Sequence, residues 1–127
     1  MSLAGFFAVG LGGVLGCWLR WILGTMLNPV FPTLPMGTLA ANLIGGLVMG
    51  GVMSLFSHFH GVPHALQLSV TTGFLGGLTT FSTFSAEANT LLLRRQSLWA
   101  SIHIAAHLVG TLGLTTLGIV IAHIVLG

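Results

Sequence analysis

A chain of 127 residues with three arginines, no lysine, one acid and only 3% charged residues is not an ordinary soluble globule, where about a quarter of positions are charged. With 54% apolar residues and a mean hydropathy of +1.05, the sequence reads as one helical integral membrane domain, residues 1–127. The high isoelectric point reflects that small charge imbalance and offers no basic patch for nucleic acid. The lone Cys17 cannot form an internal disulfide.

The first apolar run, residues 3–23, is long enough for a roughly 30 Å hydrocarbon core. It lacks a basic leader and a small-residue cleavage site, so it is expected to be a retained span and not a signal peptide. Gly12 and Gly16 have the spacing that lets helices approach closely. Arg20 lies between Trp18 and Trp21. Two readings stand: a snorkelling interfacial anchor, or a cation that draws an anion to a pore mouth.

A proline-rich loop, NPVFPTLP, separates this run from the second span, residues 36–56. There Thr38, Asn42, Gly46 and Gly50 recur every fourth residue and form one small, polar stripe. Asn42 serves either as an interhelical hydrogen-bonding group or as a donor to a passing solute. The following loop holds His58, His60 and His64 in a spacing that matches no strong zinc pattern.

The third run, residues 65–93, would reach about 43 Å as a straight helix, well beyond the core. Near its middle stands GFLGGLTTFSTFSAE, Gly73 to Glu87. Paired glycines weaken a helix by about 1 kcal/mol each. Threonines stiffen it and offer competing hydroxyls. A break is therefore expected near residues 76–80, and irregular backbone at membrane depth marks a site. Phe81 and Phe84 share one face, and Ser82 and Ser85 an adjacent one. Glu87, the only acid, is either hydrated near the interface or turned into the bundle.

The fourth span is residues 98–126. His103, His107, Thr111 and Thr115 form a polar stripe on an apolar helix. A hydrogen-bonding stripe is the expectation, although a histidine pair at this spacing also suits a metal or haem. The three arginines fall toward the side of the first and third loops, a bias too small to specify orientation strongly.

The run GFLGGLTTFSTFSAE, with NLIGG in the second span and LRW in the first, resembles the Fluc/CrcB family of fluoride channels across essentially the whole chain. The resemblance implies an all-α membrane protein of four transmembrane helices, the third broken mid-membrane. It implies an antiparallel, dual-topology homodimer with two pores in the bacterial inner membrane. It further implies a structural, untransported Na+ at the dimer centre, held by the main-chain carbonyls of Gly76 and Thr79. Phe81 and Phe84 resemble the aromatic pair along the fluoride path, Asn42 the pore asparagine, and Arg20 the vestibule arginine. Thr38, Ser82, Thr83 and Glu87 match positions near the pore. His107 and Thr111 stand in the fourth span where relatives carry serines. The physical chemistry agrees: neutral amide and hydroxyl donors replace water around a small halide, and the positive edges of phenyl rings face an anion without trapping it. Weak serial sites suit conduction better than fixed cations.

Three alternatives remain. A small proton-coupled cation or multidrug exporter needs a deep carboxylate, for which Glu87 is the sole candidate. A haem or metal protein would use His103 and His107. A non-conducting assembly subunit is the third. No nucleophile–base pair or metal cluster of convincing spacing suggests an enzyme.

Overall fold

The computed structural model describes residues 1–127, all of whose regular elements are helical. Three helices are long and apolar enough to cross a membrane: Leu3–Val30, counting its short terminal 3-10 turn, Met36–His58 and Ser97–Leu126. The first α-helix continues past Leu23 to Leu27. Its start is capped by Ser2, whose Oγ accepts from the Gly5 amide at 3.0 Å. The second helix has Pro35 at its cap position and no side-chain cap of its own. Asn28 supplies one from the 3-10 turn that ends the first helix, its Oδ1 accepting from the amides of Gly37 at 2.7 Å and Thr38 at 3.1 Å.

The third run is built differently. It begins as a short α-helix, His64–Leu68, widens to π-helix over Ser69–Leu75 and tightens again over Gly76–Leu78. Thr79 (φ −86°, ψ 154°) and Thr80 are extended. Helix resumes at Phe81–Leu93, where the Thr80 hydroxyl accepts from the Thr83 amide at 3.1 Å. That helix is about 20 Å long at 1.5 Å per residue, too short to span a bilayer alone. It ends with Arg95 at φ 59°. The Gln96 amide bonds the Leu91 carbonyl and the Arg95 amide that of Leu92, satisfying terminal acceptors.

Two glycine stripes set the packing. An added Cβ at Gly12 or Gly16 would strike the carbonyls of Ser69 or Phe74. The first helix therefore lies directly on the π-helical segment. On the second helix, Gly46 faces Thr111 and Thr115, and a Cβ at Gly50 would strike the Thr115 carbonyl. The second and last helices thus meet along the stripe that begins at Thr38. The core is small, centred on the fully buried Ala41, Leu75 and Leu78. Large apolar side chains cover much of the outside, as expected of helices that face lipid or another subunit.

Candidate functional site

The interruption after Leu78 redirects backbone hydrogen bonds. In a continuing helix the Thr80 amide would bond the Gly76 carbonyl. It bonds Asn42 Oδ1 instead, at 2.7 Å. Asn42 Nδ2 returns a hydrogen bond to the Thr80 carbonyl at 3.1 Å. The amide group of Asn42 thus clasps both backbone polar groups of Thr80, which fixes its orientation. The other N–H of Nδ2 faces His107 Nδ1 at 3.0 Å. Asn42 therefore ties the second helix to the extended segment and to the last helix.

Two clefts meet at this junction. One, of about 380 Å³, is lined by Arg20, Thr38, Thr80 and Thr83 together with Cys17 and Asn28. The other, of about 300 Å³, is lined by Asn42, Thr79, Phe81, Phe84, His107 and Thr111, with Thr80 again among its walls. Phe81 and Phe84 stand edge to face, with centroids 5.4 Å apart. Phe84 is buried against the rings of His103 and His107, whereas Phe81 is 72% exposed. The polar walls are mainly amide and hydroxyl groups. Arg20 is the one arginine among them.

The family described as "CrcB-like protein, Camphor Resistance (CrcB)" matches residues 7–119. The chain belongs to this family. A relative from Nitrosospira multiformis, named "Fluoride-specific ion channel FluC", is 56% identical over 119 residues, covering 94% of this chain and 93% of its own. Proteins of the same name from Aromatoleum aromaticum and Thiobacillus denitrificans are 51% and 54% identical, covering 92% and 89% of this chain and 89% and 91% of theirs.

Arg20 of this CrcB-like chain is half-buried and reaches the break in the third run. Its Nε donates to the Gly77 carbonyl at 2.9 Å, one of the acceptors left over where the helix stops. Glu87 faces the bundle: Oε2 accepts from Thr38 Oγ1 at 2.7 Å, and Oε1 lies 3.3 Å from His103 Nε2. Ser82 is exposed, with its hydroxyl 3.3 Å from that of Thr80. Gly76 lines neither cleft and is exposed on the chain surface.

The carbonyls of Gly76 and Thr79 have the chemistry for a hard cation. The amide that would bond Gly76 goes to Asn42, and that of Thr83, which would bond Thr79, goes to the Thr80 hydroxyl. Both oxygens are thereby released from the helical ladder. Neutral carbonyl oxygens of unwound helix suit Na+.

Thr80 is the residue that reading along the chain missed. Its hydroxyl caps a helix and its backbone carries the Asn42 clasp. The signal was present as a Thr three residues before Thr83 at a helix start. The clasp had no local signal, because its partner is 38 residues away.

Proposed function

We propose that the chain is a passive, fluoride-selective channel of the bacterial inner membrane that lowers cytoplasmic fluoride. It acts as an antiparallel homodimer with two pores. The third run crosses the bilayer as two half-helices joined at Thr79–Thr80. Full-length similarity to proteins named as fluoride-specific channels supports the reading. The structural observation that carries it is the oriented Asn42 amide at the junction of the two clefts.

In this reading Arg20 attracts the anion to the cleft it shares with Thr38 and Thr83. Ser82, Thr83 and Thr111 supply hydroxyl contacts that replace hydration water, Asn42 and His107 form the fixed polar wall beside them, and the ring edges of Phe81 and Phe84 continue the path. Glu87 anchors the Thr38 hydroxyl and is itself not a contact for the anion. Gly76 and Thr79 hold the structural Na+ between subunits, where the ion supplies positive charge that staples the dimer. The relatives' names favour this reading over a proton-coupled exporter and over an enzyme.

Liposomes containing only this protein test the function. Fluoride efflux without a proton gradient, alongside negligible chloride efflux, is the expected result. Flux that requires a proton gradient, or no fluoride flux at all, rejects it.

A further inference from the structure

Where the last helix packs on Phe81–Leu93, three ligating side chains converge. His103 is 1% and His107 3% exposed. Glu87 Oε1, His103 Nε2 and His107 Nε2 are all buried without a hydrogen-bond partner. One ligand atom from each residue lies within 4.8 Å of the others. Native proteins leave few buried polar atoms unpaired, and each such atom calls for an explanation.

We infer that Glu87, His103 and His107 form a binding site for a divalent transition metal of the zinc class, whose occupation slows fluoride passage. Only the effect on passage rests on the channel reading. Two imidazoles and a carboxylate are a known zinc donor set with one position left open. Imidazole suits zinc, copper or nickel, while calcium and magnesium prefer oxygen alone. His103 and His107 are one turn apart on the same face. Glu87 comes from the other helix, its Oε2 held by Thr38 and its Oε1 free toward the histidines. Such outer hydrogen bonds orient metal ligands.

Asn42 links this site to the fluoride path. Its clasp on Thr80 leaves an N–H directed at His107 Nδ1, which must accept it. The neutral ring therefore carries its proton on Nε2. A metal binds Nε2 only when that proton moves to Nδ1, where it meets the Asn42 N–H. Metal entry thus breaks the Asn42–His107 hydrogen bond, and metal occupation opposes the polar arrangement proposed to conduct.

The test uses the full chain, with Zn2+ and Co2+ as probes. One Zn2+ per chain, the visible absorption of a tetrahedral Co2+ centre, and chelator-reversible slowing of fluoride efflux are expected. His103→Asn and Glu87→Gln, each eluting like the unsubstituted protein, should weaken Zn2+ binding by more than the roughly 10- to 100-fold that loss of an outer hydrogen-bonding partner costs, and lose the Co2+ spectrum. Within each variant the ratio of efflux with and without Zn2+ should return toward one. Asn42→Asp supplies an acceptor for a proton on His107 Nδ1 and should tighten Zn2+ about tenfold or more, which a merely structural Asn42 would not do. Fluoride transport by a protein that binds no Zn2+ overturns the inference and leaves the function intact. Zn2+ binding that persists in both the Glu87 and His103 variants assigns the metal elsewhere and also overturns it. Zn2+ bound at these residues by a protein that never passes fluoride rejects the channel reading and retains the metal site.

Discussion

Asn42 holds Thr80 by both its backbone polar groups, accepting from the amide at 2.7 Å and donating to the carbonyl at 3.1 Å. A side-chain amide matches an extended residue in this way because it carries a donor and an acceptor side by side. No carboxylate, and no apolar residue of similar size, repeats the match.

Asn42→Asp should therefore reduce fluoride flux by about 10- to 100-fold, as expected when a polar group is left unpaired at about 1–3 kcal/mol. Efflux from liposomes measures the loss, and gel filtration checks that the protein still elutes normally. Wild-type flux in this variant would remove Asn42 from the path.

The two phenylalanines should separate function from folding. Phe81 is 72% exposed on the chain, so Phe81→Ile should leave stability nearly unchanged while abolishing or greatly slowing flux. Phe84 is 6% exposed, so Phe84→Ala should also lower stability by about 3–5 kcal/mol. Thermal denaturation in detergent and liposome efflux together read the contrast. Normal flux in Phe81→Ile would show that its ring does not line the route.

Helix approach predicts a further contrast. Gly16→Ala places a methyl group against the Phe74 carbonyl and should destabilise the protein by about 1–3 kcal/mol. A Cβ at Gly10 meets nothing within 4 Å, so Gly10→Ala should be neutral or gain up to about 1 kcal/mol of helix propensity. Thermal denaturation distinguishes them, and equal effects would contradict the close contact at Gly16.

Exchange of Na+ for a larger monovalent cation should weaken fluoride flux, because the carbonyls of Gly76 and Thr79 would suit the smaller ion. Flux measured in matched salts, with subunit association followed by cross-linking, tests this. Unchanged flux and association would argue against a central Na+.

The sequence by itself determined the class of protein. Its near-absence of charge requires apolar surroundings, its run lengths match a bilayer, and backbone polar groups in such surroundings favour helices. The clustered Gly, Thr and Ser between Gly76 and Thr83 also showed where the third run would be least able to continue as a helix. Tertiary structure decided the partners. Arg20 bonds Gly77, Glu87 joins Thr38 and approaches His103, and Asn42 selects Thr80 and His107. Periodicity indicates which residues share one helix face, but it carries no information about the depth and angle at which two faces meet. Contacts across 38 to 65 residues depend on that meeting, and here the close approach of glycine backbones determines it.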